Sequence, residues 1–181
     1  ILAKFVIKSQ KAKRGIIFYN EKSSYAIGIQ EIFNKYFKLY GGENLYIFPY
    51  SKVSDINQAM ILKALKSKPD FFFIPSYQIE AGAIINKVAK HTKKKTLFLG
   101  PDSWAGGNLF FKNFMNNKKN IKGFYVKHWY KEIKNNQNKS FNEALKGHQF
   151  SKIFKNKTLL MKTPAAVGYD TGKFFFSAFD K

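Results

Sequence analysis

Pro69-Asp70 breaks a helical pattern and is followed at once by Phe71-Phe72-Phe73-Ile74. A run this apolar, with no alternation, is a strand buried on both faces, and such a strand belongs to a parallel sheet with helices above and below it. The rest of the chain follows the same plan. Residues 15–19, Leu45 to Tyr50, residues 96–99 and Ile121 to Val126 read as further strands, separated by helical stretches with short connections. Alternation of this kind gives an α/β fold, a parallel doubly wound sheet of about five strands.

The helices carry their own signals. Residues 2–10 form an amphipathic stretch, and Ser23 and Ser24 offer N-caps to a helix over about 25–39 with Ile27, Ile32, Phe33, Tyr36 and Phe37 at helical spacing. Gly41-Gly42 ends that helix as C-cap and turn. Ser54 or Asp55 is expected to cap the next, with Ile56, Ala59, Met60 and Leu65 on its apolar face, and another helix covers about 78–91. Beyond Asp102 the pattern predicts a short helix from Gly106-Gly107 through Met115, a polar loop from Lys131 to Ser140, a helix near 141–155 and a last one opened by Thr163-Pro164.

Hydrophobic residues make up 45% of the 181 positions and aromatics 18%, enough for a folded core and against wholesale disorder. The formal charge of +21 points first to nucleic acid. However, Arg14 is the only arginine among 32 basic residues, and the lysines are scattered, Lys93-Lys94-Lys95 being the longest run. Base-edge and bidentate phosphate recognition favour the guanidinium, so these lysines read as solvated faces with nonspecific attraction to acidic surfaces. There is no cysteine for a disulfide or thiolate site, and no apolar run reaches the length of a membrane span. The opening residues resemble one face of a helix, not a signal peptide, which places any export signal upstream.

The usual catalytic devices are missing from the sequence. No G-x-G-x-x-G or G-x-x-x-x-G-K-[ST] cradle occurs, no G-x-S-x-G elbow, and His91, His128 and His148 stand at no metal-ligand spacing, so neither catalytic nor metal residues are assigned and no cofactor is expected. What remains is a set of hydroxyls, rings and one carboxylate just past strand ends: Ser24 and Tyr25, Tyr77, Asp102 and Trp104. Open α/β sheets bind ligands at that edge. Asp102 suits a charge-assisted bond to an ammonium group or the cap of a following helix, Tyr25 and Tyr77 suit a ligand contact or the rim of a core, and Trp104 suits a pocket wall or a buried anchor.

Ile16-Ile17-Phe18-Tyr19-Asn20 with Ser24-Tyr25-Ala26-Ile27-Gly28, then Lys68-Pro69-Asp70-Phe71-Phe72-Phe73-Ile74-Pro75-Ser76-Tyr77, then Leu99-Gly100-Pro101-Asp102-Ser103-Trp104 and finally Gly168-Tyr169-Asp170 occur in that order. Together they resemble the type 1 periplasmic binding proteins of the branched-chain amino acid type, over about 14–172. The resemblance implies the second lobe of a two-lobed receptor, residues 1–160, with residues 161–181 returning as a helix toward a missing first lobe. It implies that Tyr25, Tyr77 and Asp102 contact a bound amino acid, Asp102 facing its ammonium, and that Trp104 matches an aromatic position of the same loop. The family often has glutamate at the Asp102 position, so the shorter reach would select another ligand or interpose a water.

The implied function is noncatalytic: a solute-binding component of an ABC importer, periplasmic or extracellular and lipid-anchored in some settings, with an ABC permease as partner and no specific nucleic acid. A sensory receptor domain shares the fold and is separated from a transporter by the upstream sequence. An enzyme using Asp102 as general base lacks a second polar group at a strand end. The apolar Phe174-Phe175-Phe176 of the terminal helix, without its first-lobe partner, is expected to associate with a neighbour or fold back.

Overall fold

The computed structural model describes residues 1–92, 94–106 and 121–126. Within them lie α1 (Leu2–Lys8), β1 (Arg14–Asn20), α2 (Ser24–Leu39), β2 (Asn44–Tyr50), α3 (Gln58–Lys66), β3 (Phe71–Phe73), α4 (Gln78–Ala89), β4 (Thr96–Gly100) and β5 (Ile121–Tyr125). The strands form one sheet in the order β2-β1-β3-β4-β5, every neighbouring pair parallel. The expected α/β architecture is therefore present. The helices expected over 106–115, near 141–155 and from Thr163, the loop 131–140 and the return helix 161–181 lie outside the described residues.

β3 is central, its residues pairing with Gly15–Ile17 on one side and Leu97–Leu99 on the other. All three of its phenylalanines are buried, and because successive side chains point to opposite faces the run feeds two cores. Phe72 joins Ile16, Phe18, Phe98 and the α4 residues Ile84 and Ile85. Phe71 and Phe73 join Ile17, Leu99, Val6 of α1 and Phe33 and Phe37 of α2, with the Phe33 and Phe73 rings stacked at 4.2 Å.

Local chemistry sets the helix ends. The Ser23 hydroxyl accepts from the Ala26 amide at 3.2 Å, capping α2. At its far end Gly41 takes φ +91°, and the Gly42 amide donates to the Phe37 carbonyl at 2.9 Å. The cap of α3 is Asn57, whose Oδ1 accepts from the Met60 amide at 3.0 Å, not Ser54 or Asp55. The Asp55 carboxylate is already engaged, accepting from the amides of Ser51 and Lys52 at 3.1 and 2.8 Å to close a separate 3₁₀ turn over Val53–Asp55. The inner face of α3 accordingly shifts: Ile61 and Ala64 are buried, while Ala59 is exposed. On α2, Ile32 and Tyr36 are exposed although they share the apolar stripe.

Asp70 ties the start of β1 to the start of β3. Its Oδ2 accepts from the amides of Lys13 and Arg14, both at 2.9 Å, and its Oδ1 faces the Arg14 guanidinium at 3.4 Å. Desolvation pushes the Asp70 carboxyl up, but the two amide bonds and the Arg14 charge outweigh it and hold the group below the usual carboxylate range. A folded-state value below the unfolded one of about 3.9 adds stability above that pH and loses it as pH falls through the folded value. Asp70→Ala is expected to cost about 1 kcal/mol at neutral pH, and its gap from the parent should narrow as the pH is lowered through the acid range. Urea unfolding of both proteins across that range checks this; a gap independent of pH excludes the charge as its source.

Candidate functional site

Because all five strands run parallel, the connections leaving them gather at one edge of the sheet. Three of these connections bring the site residues together. Tyr25 enters on the first turn of α2, Tyr77 is the N-cap residue of α4, and Asp102 opens a 3₁₀ turn, Asp102–Gly106, directly after β4. The Tyr25 hydroxyl donates to Asp102 Oδ1 at 3.1 Å, and the Tyr25 and Tyr77 rings stack with centroids 5.4 Å apart at 20°. Residues 77 positions apart in sequence thus form one constellation of a carboxylate and two rings.

Exposure differs across it. Tyr77 leaves 60% of its surface open to solvent, while Tyr25 and Asp102 are half-buried. Burial pushes the Tyr25 hydroxyl above the ordinary tyrosine range, with the Ser103 hydroxyl pulling it down and the Asp102 charge pushing it further up. Tyr25 therefore stays protonated at neutral pH and acts as a donor. Ser24 is exposed at the start of α2, next to this group; the neighbouring Ser23 supplies the cap.

Trp104 stands elsewhere. Its ring is 1% exposed and belongs to the core shared by Phe72 and Phe98, beneath the loop and not on its surface. Gly100 makes this position available, since a Cβ on Gly100 would fall inside the indole ring. Of the two roles open to Trp104 from sequence, the structure gives it the buried anchor: it fixes the loop that carries Asp102 from below.

Residues not singled out from sequence complete the edge. The Ser103 hydroxyl donates to the Ser76 carbonyl at 2.9 Å and joins the β3 and β4 loops. Asn20 Nδ2 donates to Glu80 Oε1 at 3.2 Å, and Ser51 donates to Glu21. Tyr50 is buried behind them, its hydroxyl pushed well above its ordinary range by burial first and by the Glu80 charge next. Position at or shortly after a strand end was the one available signal for these, and it does not say which will pair.

On its other side Asp102 borders an apolar groove of about 260 Å³, lined by Ile29, Ile32, Tyr36, Phe73, Pro101 and Val126 among others. No group of three or more metal-ligating side chains occurs among the described residues, and no described helix is long and apolar enough to cross a membrane.

Neither a protein-family model nor a curated protein matches the sequence. Solved structures do match. The leucine-binding protein LivK of Thermotoga maritima aligns with a TM-score of 0.65 at 20% identity, over 80% of this chain and 40% of that one. The chain has the fold of one lobe of a substrate-binding protein. LivJ of Streptococcus pneumoniae, a branched-chain amino acid transporter substrate-binding protein solved with isoleucine, gives a TM-score of 0.61 at 23% identity, again over 80% of this chain and 40% of that one. An ABC transporter substrate-binding protein of Desulfitobacterium hafniense in complex with Leu gives 0.59 at 18%, over 94% of this chain and 44% of that one. All three are binding proteins by name, and the chain spans about 40% of the length of the first two.

Proposed function

We propose that the chain is the second lobe of an extracytoplasmic solute-binding protein that delivers an amino acid to an ABC permease. The observation that carries this reading is the Tyr25–Asp102 hydrogen bond beside the stacked Tyr77, at the sheet edge where such ligands bind. Asp102 takes the ligand's ammonium in a charge-assisted bond, Tyr25 holds the carboxylate in position, and the open face of Tyr77 packs on the ligand's apolar part. Ser24 borders the group, and Trp104 supports it from the core. A first lobe supplies the partner for the ligand carboxylate and closes over it, excluding water. Residues 1–160 form the lobe and 161–181 return to that first lobe, where the helix carrying Phe174-Phe175-Phe176 finds its apolar partner. Isoleucine and leucine in the matched structures support an aliphatic amino acid as ligand.

Calorimetry on the full-length parent with a panel of amino acids tests this. An aliphatic amino acid should bind, and Asp102→Asn should weaken it roughly 10- to 100-fold through loss of one ionic hydrogen bond. Binding that is indifferent to Asp102→Asn removes the ammonium role. If no amino acid binds, the reading itself fails.

A further inference from the structure

The connections entering the five parallel strands gather at the opposite edge of the sheet, and there the charge changes sign. Glu21, Asp55, Glu80 and Asp102 outnumber Lys22 and Lys52 at the edge the strands run toward. The amino edge instead carries Lys8 and Lys11 ahead of β1, Lys66 and Lys68 ahead of β3, and Lys94 and Lys95 ahead of β4, all exposed. Its two carboxylates, Asp70 and Glu43, are occupied by Arg14 and Lys13. Nothing acidic among the described residues neutralises these six ammonium groups. The topology brings these six lysines, separate in sequence, to one edge of the sheet.

A second observation comes from the backbone. Lys11 and Lys68 are the non-glycine residues with positive φ among the described residues, at +56° and +51°. Each stands three positions before its strand, where glycine or asparagine would sit with less strain. Lysine thus takes this conformation at two corresponding turns of the amino edge.

We propose that the amino edge of the sheet docks on the surface of an anionic lipid bilayer. The chemistry favours lipid over nucleic acid: the one arginine is tied to Asp70, leaving compact lysine charges that suit the diffuse field of headgroups and not bidentate reading of phosphates or bases. Leu39, 69% exposed at the end of α2 on this same edge, offers an apolar side chain to the headgroup boundary. The ligand-site edge then faces away from the lipid.

Co-sedimentation of the intact chain with phosphatidylcholine vesicles, with and without roughly a third phosphatidylglycerol, reads this out. Binding is expected only to the anionic vesicles and should fall with salt. A Lys8→Glu/Lys66→Glu/Lys94→Glu/Lys95→Glu variant should lose at least tenfold in partitioning. Charge reversal at Lys22 and Lys52, which follow β1 and β2 at the opposite edge, should lose no more than about threefold. Lys11→Gly/Lys68→Gly keeps the turns and removes the ammoniums, and should weaken binding several-fold without loss of fold. Equal losses in both charge-reversed sets, no preference for anionic vesicles, or tighter binding to a DNA duplex at the same salt each overturn the proposal.

Discussion

Replacing Phe72 by alanine is expected to cost about 3–5 kcal/mol, the range for emptying a phenylalanine site in a packed core. The side chain is 1% exposed on the central strand, and its ring lies between those of Phe18 and Phe98 at 6.1 and 5.4 Å. Both neighbours are fixed in the sheet by backbone pairing, Phe18 opposite Phe48 and Phe98 opposite Phe72, so the space cannot close by their collapse. By contrast Tyr46→Ala on the edge strand β2, where 46% of the ring is already in water, should cost about 0.5–1 kcal/mol. Urea unfolding of the two variants separates these cases. Equal losses would mean that the stacked rings contribute no more than surface area.

The contrast between Phe72 and Tyr46 marks what was legible in the sequence. A strand buried on both faces has no polar position to break the run, so Phe71-Phe72-Phe73 announced its place at the centre, and the neighbouring βα units followed. The cap of α3 was not legible in the same way. Ser54, Asp55 and Asn57 all have the side chain of an N-cap, and the choice fell to Asn57 because the Ser51–Lys52 turn claimed Asp55. That competition is decided by local geometry, which spacing does not encode. Ile32 and Tyr36 show a further limit: periodicity finds an apolar stripe but not how much of it the sheet covers, and here both line an open groove.

The candidate site divides along the same line. A carboxylate and two rings just past three strand ends are visible in a sequence once the sheet is assumed parallel, because topology alone sends them to one edge. Their pairing is not visible, since the Tyr25–Asp102 bond joins positions 77 residues apart. Ser103 is likewise an ordinary loop serine until its bond to the Ser76 carbonyl is seen. Trp104 offered two roles from sequence, and only the missing side chain of Gly100 explains why the ring lies inside the core.

That contact carries the other large expectation. Gly100→Ala should destabilise the lobe by about 3 kcal/mol, because the new methyl would occupy the volume of the Trp104 indole and neither side can yield. Gly100 is held in the sheet opposite Tyr125, with its carbonyl accepting from the Val126 amide at 3.3 Å, while Trp104 is sealed in the core. The strain therefore falls on Pro101–Ser103, the segment between them, and pulls Asp102 from Tyr25. The Tyr25–Asp102 hydrogen bond should weaken along with stability, although neither of its residues has changed. A double-mutant cycle isolates the cause. In a Trp104→Ala background the methyl has room, so Gly100→Ala there should cost under about 1 kcal/mol and leave the Asp102 loop no further displaced. If the substitution costs as much without the indole as with it, the ring contact is not what requires glycine, and the claim that Trp104 sets the position of Asp102 from below fails with it.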